Sequence, residues 1–212
     1  MELLEILLTS GGGIAIITAV IKLAQHLEKK IKRKDYRTAQ ERHREGWRSI
    51  SRVYEAMSCL IDFGSIDRVF LLEVSNGGHA PQPGSAIYAR AIHAKHVDRL
   101  LEQDMKINYE KVKIDDAYIS MIIAAHSQEN RPYKFDVKHH PECLLKDLYT
   151  AENVQYSEVF HICTDPVDQK TFILSVATMQ EDEKFSNPQL RSAINAEVMK
   201  IKSEFDKARA LA

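Results

Sequence analysis

Residues 68–78 have the sequence RVFLLEVSNGG, and this stretch decides the fold. A β-branched and aromatic run of strand length is followed by Asn76 and Gly77, a pair that adopts the positive φ of a tight turn at little cost. After a proline-containing segment, residues 87–93 form a second run of the same kind. The pattern predicts an antiparallel pair of strands joined by a broad loop.

A second predicted strand pair lies further along the chain, at residues 157–163 and 171–178, with Asp165-Pro166 and Asp168 marking the hairpin between them. Helical spacing flanks both pairs. Residues 50–61 carry apolar side chains three and four apart, and Asn187 before Pro188 is a plausible N-cap of a long last helix. The apolar face of that helix is Leu190, Ile194, Val198, Ile201, Phe205 and Ala208.

The middle of the chain is less regular. It predicts a short helix or loop at 97–103, a short strand at 111–114, a helix at 117–126, a strand at 133–137 and a helix at 142–152. Helices are segregated from an antiparallel sheet, so the fold class is α+β.

The N-terminal part predicts a different organisation: an apolar helix over residues 1–24, a basic helical connector over 25–48, and one domain over 49–212. The uncharged core of the apolar stretch spans only about 24 Å as a helix, but the stretch 3–23 spans about 31 Å and could cross a hydrocarbon core of about 30 Å. We therefore expect a single-pass membrane anchor, with the basic flank and the C-terminal domain in the cytoplasm. Anionic headgroups would contact the connector at Lys29, Lys30, Lys32, Arg33 and Lys34.

Within the apolar stretch, Gly11, Ala15 and Ala19 fall four apart, a small-residue spacing that favours self-association of helices in a membrane. The alternative is a helix that packs into a protein assembly instead of lipid. Lys plus Arg total 29 against 30 Asp plus Glu, so the excess of positive charge is local to the connector. With few aromatics among these basic residues, we expect no nucleic-acid binding.

The sequence predicts no catalytic centre and no metal site. Three widely spaced cysteines lack a paired motif and indicate free thiols in a reducing compartment. Two clusters carry metal-ligating side chains: residues 139–143 (His-His-Pro-Glu-Cys), and His161 with Cys163, which strand alternation places on one face. Neither matches a metal fingerprint, and a thiol paired with a histidine lacks an orienting acid.

The stretches 54–60, 67–72, 144–163 and 171–189 together resemble the GAF domain family, small sensory domains with an antiparallel sheet between helices. Residues 67–78 are also similar to short phage and bacterial proteins with an N-terminal apolar segment and a strand ending in His-Asn-Gly. Here Ser75 replaces that histidine.

The resemblance implies a non-enzymatic sensing or protein-interaction module, which we expect to act as a homo-oligomer without a cofactor. The alternative is a structural component of a phage particle, with the N-terminal helix buried in protein. If the family's ligand pocket is retained between the sheet and the middle segment, the resemblance implies that its lining includes Phe70, Leu72, Tyr133, His161 and Phe172.

Overall fold

The sheet is six-stranded and antiparallel, with strand order β3-β2-β1-β6-β5-β4. The structure, a computed structural model, describes residues 11–76, 86–127, 131–165, 167–180 and 185–211. The strands are β1 (Arg68–Ser75), β2 (Tyr88–His96), β3 (Val112–Lys113), β4 (Tyr133–Asp136), β5 (Tyr156–Thr164) and β6 (Thr171–Thr178). The helices are α1 (Gly11–Asp62), α2 (Arg99–Asn108), α3 (Asp116–Ser127), α4 (Leu144–Ala151) and α5 (Pro188–Leu211).

Among the described residues the chain divides into two compact units, one over residues 11–47 and the other over residues 48–210. The second unit contains the whole sheet and the helices packed on it. All the contacts described below belong to that unit.

Each face of the sheet carries its own apolar core because successive side chains of a strand point to opposite faces. On one face, α5 and the part of α1 from Arg48 onward cover Val69, Leu71 and Leu174. On the other face, α2, α3 and α4 cover Phe70, Leu72 and Ile173. We call these the terminal-helix face and the middle-helix face. The α+β class predicted from the sequence is confirmed.

Local sequence signals set several element ends, among them the predicted cap at Asn187. Gly64, with φ of 69°, follows the last turn of α1. The side chain of Asn187 accepts hydrogen bonds from the backbone N–H groups of Gln189 (2.9 Å) and Leu190 (3.4 Å), so it caps α5. The segment 97–103, predicted as a short helix or loop, begins α2, because the Asp98 carboxylate accepts the N–H of Leu100 at 2.9 Å.

One prediction about β5 is wrong: His161 and Cys163 do not share a face. A bulge between them shifts the register against β6 and breaks the alternation of side chains. His161 contacts His126 of α3 on the middle-helix face, whereas Cys163 belongs to the core of the terminal-helix face.

The predictions for the N-terminus concern residues that the structure describes only in part. Residues 3–10 of the apolar stretch lie outside the described residues, and so do Gly77 and Gly78 of the predicted turn. From Gly11 the backbone is helical, but the side chains of Gly11, Ala15, Ala19, Arg33 and Lys34 are not described. Lys29, Lys30 and Lys32 are exposed. Across the described ranges, none of the helices has an apolar window long enough to cross a membrane.

Candidate functional site: a cavity at one end of the sheet

A cavity of about 420 Å³ lies on the middle-helix face, at the end of the sheet where β1, β5 and β6 meet α3. Asp115 fixes α3 over this end. One oxygen of its carboxylate accepts the N–H of Tyr118 in the first turn of α3, and the other accepts the N–H of Leu144 at the start of α4, both at 2.8 Å. One carboxylate thus satisfies orphan donors of two helices and holds them together.

The body of the cavity is aliphatic. The side chains come from β1, from residues next to β2 and β3, and from α3: Val74, Ile87, Ile114, Ile119, Ile122 and Ile123. Ile122 is buried, whereas Ile123 is 61% exposed, so α3 forms both the wall and part of the mouth.

Polar groups gather along one rim, formed by His126 of α3 and by Thr164, Gln169 and Thr171 around the β5–β6 hairpin. Behind them, Nε2 of His161 lies 3.1 Å from Nδ1 of His126 and 3.1 Å from the hydroxyl of Thr164. The Thr164 hydroxyl lies 3.3 Å from that of Thr171. Two imidazoles and two hydroxyls therefore form a continuous hydrogen-bonded row along one side of the cavity.

The hairpin that carries this rim is held by Asp165. Its carboxylate accepts the N–H groups of Val167 (2.7 Å) and Asp168 (3.0 Å), and these hydrogen bonds lower the pKa of Asp165. Gln169 takes a positive φ of 53° to close the turn, which places its side chain beside the cavity.

The imidazole of His161 is neutral at physiological pH. Burial lowers its pKa from 6.5 to about 4, with smaller contributions from His126 and from the ammonium of Lys202. Lys202 does not line the cavity. Its own pKa is lowered, chiefly by burial.

The structure brings together some of the five residues that the sequence suggested for a pocket. Phe70 and Leu72 are buried on the middle-helix face, and Tyr133 packs against the same core. These three do not line the cavity, whereas His161 lies directly behind the rim residue His126. Phe172 lies on the terminal-helix face, where its ring is 4.8 Å from that of Phe205.

The same core contains a buried cation. The side chain of Arg68 is 2% exposed and forms an ion pair with Glu152, the residue that follows α4. Its guanidinium lies 4.9 Å from the ring centroid of Phe70 and 4.6 Å from that of Tyr149, within the range of cation–π attraction.

Buried hydroxyls extend this polar interior. The hydroxyl of Tyr149 is 3.1 Å from that of Ser157 and 3.0 Å from that of Ser175, and the two serines are themselves 3.0 Å apart. Within the described part of the chain, the Tyr109 hydroxyl and Nε of Arg68 have no hydrogen-bond partner. Burial raises the pKa of Tyr109 to about 12, so its phenol stays protonated.

The side chains of residues 139–143 contact one another and the neighbouring strand β4. His139 lies 2.7 Å from the carboxylate of Asp136, and His140 stacks on Phe135 with ring centroids 4.1 Å apart. Sγ of Cys143 is 3.7 Å from Nδ1 of His140. Among the residues that the structure describes, no group of three or more His, Cys, Asp or Glu side chains is placed to hold a metal ion.

Sequence reasoning missed most of the cavity lining. The helical pattern over 117–126 singled out the side that packs into the core, but Ile119 and Ile123 line the cavity from other positions of α3. The available signal was that the helix itself carries apolar residues on more than one side. A helix with a single buried stripe has polar residues on its remaining surface.

Comparisons with known proteins give similarity in structure alone. No family model and no curated protein matches the chain. Two GAF domains are among the similar solved structures. One is the GAF domain region of a Geobacter sulfurreducens PCA protein, at 14% identity over 74% of this chain and 97% of that chain, with a TM-score of 0.44. The other is the phycoerythrobilin-bound GAF domain of a cyanobacterial phytochrome, at 12% identity over 80% and 96%, with a TM-score of 0.47.

The chromophore-binding domain of an unusual bacteriophytochrome from R. palustris reaches a TM-score of 0.50. Its identity is 8%, and the match covers 84% of this chain and 63% of that chain. Together with the antiparallel strand order and the helices on both faces, this likeness shows that the chain has a GAF-like α+β fold.

Proposed function

We propose that this chain is a non-enzymatic, GAF-like sensing module that binds a small molecule in the cavity between α3 and the end of the sheet. The observation that carries the proposal is the cavity itself: about 420 Å³, aliphatic walls, and a hydrogen-bonded row of His126, His161, Thr164 and Thr171 along one side. Small-molecule sites combine such apolar walls with a few convergent polar groups.

The chemistry of the lining supports binding more than catalysis. Of the described residues that line the cavity, only His126 is titratable, and none carries a carboxylate or a thiol. A general acid–base or nucleophilic mechanism requires a second group oriented on the reacting atom. The rim instead offers imidazole, hydroxyl and amide groups as hydrogen-bond donors and acceptors, which suit recognition.

The experiment is mass spectrometry of what copurifies with the full chain and with a variant whose cavity is filled. Ile119→Trp adds a large side chain to the cavity wall, and Leu100→Trp adds the same side chain at a position that is 79% exposed on α2. We expect a small molecule in near-equal stoichiometry with the unmodified chain and with Leu100→Trp, and its loss from Ile119→Trp. Equal retention by both variants would place the molecule elsewhere and contradict the proposal.

We further propose that the module is tethered to a membrane and self-associates through residues 3–23, with its domain in the cytoplasm. The sequence of that segment and the exposed Lys29, Lys30 and Lys32 support this part of the proposal. Fractionation of cells expressing the full chain tests it. Recovery as a monomer in the soluble fraction without detergent contradicts both tethering and self-association, and recovery in purified phage particles would favour the structural alternative.

A further inference from the structure

The size of the cavity limits how much of a ligand it can enclose. At about 30 Å³ for each water molecule, 420 Å³ corresponds to about 14 waters, or a ligand of about 10–15 non-hydrogen atoms. This is smaller than a nucleotide with its sugar and phosphate groups.

The walls select for an aliphatic body. Six Ile and Val side chains face the cavity, and the described lining contains no aromatic ring other than the imidazole of His126. A planar base would find no pair of rings to stack between. An alkyl chain or a saturated ring would displace water from these walls, and its binding is favoured in proportion to the apolar surface that it covers.

The polar row selects for an uncharged head. No Lys, Arg, Asp or Glu is among the described residues of the lining, so these residues offer no countercharge to an anion or a cation. A hydroxyl group both donates and accepts, and Thr164 and Thr171 share one hydrogen bond while keeping further acceptor capacity. A charged head at this rim would meet no ion-pairing partner among these residues, whereas a hydroxyl is matched by the two threonine hydroxyls.

We infer that the cavity binds a neutral, largely aliphatic molecule of about 10–15 non-hydrogen atoms that carries a single hydroxyl or carbonyl head, placed against His126, Thr164 and Thr171. The inference rests on the proposed function, since it names the ligand class of the same site. It separates this cavity from one built for a phosphorylated or carboxylated ligand.

The test uses three probes that share one alkyl chain: 1-octanol, octanoate and octylammonium. Each is titrated at neutral pH into the full chain labelled with ¹³C at the isoleucine methyl groups. The method reports location as well as affinity, because Ile87, Ile114 and Ile119 line the cavity, whereas Ile194 and Ile201 lie in the core of the opposite face.

We expect 1-octanol to shift the methyl signals of the cavity isoleucines, to leave those of Ile194 and Ile201 in place, and to bind more tightly than either charged probe, because only its hydroxyl is matched by the threonine hydroxyls. Tighter binding of octanoate or octylammonium at the same methyl groups would overturn the inference and leave the proposed function standing. If none of the three probes shifts the cavity methyl signals, the inference fails, and the proposed function is decided separately by the copurification experiment with Ile119→Trp.

A pair of variants locates the head group. Thr171→Val removes one hydroxyl of the row at nearly constant volume, and Thr150→Val makes the same change on the exposed surface of α4. We expect Thr171→Val to weaken 1-octanol binding by about fivefold, the loss of one hydrogen bond to a neutral group, and Thr150→Val to leave it unchanged. Equal affinity in the two variants would overturn the placement of the head.

Discussion

Removing either partner of the ion pair between Arg68 and Glu152 should destabilise the domain, and the loss of unfolding free energy should depend on which partner is removed. The Arg68 side chain is 2% exposed and the Glu152 side chain is 17% exposed. Glu152→Ala therefore leaves a buried cation without its counterion, whereas Arg68→Met leaves a carboxylate that can turn towards water. Methionine also replaces the arginine stem with an apolar chain of similar length.

The contacts of the guanidinium set the magnitudes. An uncompensated buried charge costs about 3–5 kcal/mol, and the rings of Phe70 and Tyr149 hold the cation after Glu152 is gone, so we expect about 3 kcal/mol for Glu152→Ala. Arg68→Met loses the same two ring contacts but also removes the desolvation penalty of the cation, so we expect about 1 kcal/mol. The double variant should be close to Arg68→Met, which corresponds to a coupling free energy of about 2–3 kcal/mol.

Urea unfolding followed by far-ultraviolet circular dichroism at neutral pH measures these differences, provided that the denaturant dependence is the same in all variants. Glu142→Ala is the control, because its carboxylate pairs with Lys146 at 2.8 Å while 82% exposed, and it should cost less than about 0.5 kcal/mol. A loss for Arg68→Met equal to or larger than that for Glu152→Ala would refute the reasoning, and so would additive single losses.

Three further predictions concern pH and local geometry. Burial is the main cause that lowers the pKa of both His93 and His161 from 6.5 to about 4. Between these pH values the unfolded chain binds more protons than the folded chain, so the free energy of unfolding should fall as the pH drops from 6.5 towards 4. Urea midpoints that rise on acidification would contradict this sign. His93→Gln should make the fall shallower. Tyr149→Phe should cost about 1 kcal/mol, because the two buried serines it contacts still bond one another, and a loss above about 3 kcal/mol in thermal unfolding would show that they do not. Gly64→Ala should cost about 1 kcal/mol from its positive φ alone, since an added Cβ would meet nothing within 4 Å, and an unchanged melting temperature would argue against that strain.

The sequence predicted elements whose signals are local. The strand at 171–178 and the helix starting at Pro188 were placed at the residues where the structure has them, because an alternating or helical pattern ends there at a turn or at a cap. The face of the sheet that Phe172 occupies was not predicted: we expected it in the pocket, and it lies on the terminal-helix face. Which face of the sheet a strand residue occupies depends on register with neighbouring strands, and no local signal sets that register.

The bulge in β5 shows the same limit. Alternation predicted that His161 and Cys163 share a face, and one extra residue in the strand was enough to separate them. Bulges have a weak sequence signature, because any residue type can occupy the extra position. The hydrogen bond between His161 and His126 also joins residues 35 positions apart, and it exists only once α3 lies across the sheet.

Asp115 connects the cavity to the buried ion pair through two helices. Its carboxylate holds the first turn of α3, which lines the cavity, and the first N–H of α4, which leads to Glu152 after two helical turns. A ligand that displaces α3 must therefore either lengthen one of two charge-assisted hydrogen bonds or move α4 with it. Because Glu152 is paired with an arginine fixed in β1, movement of α4 would be resisted by the sheet. Asp115 and the Arg68–Glu152 pair therefore tie the first turn of α3, both ends of α4 and strand β1 to one another.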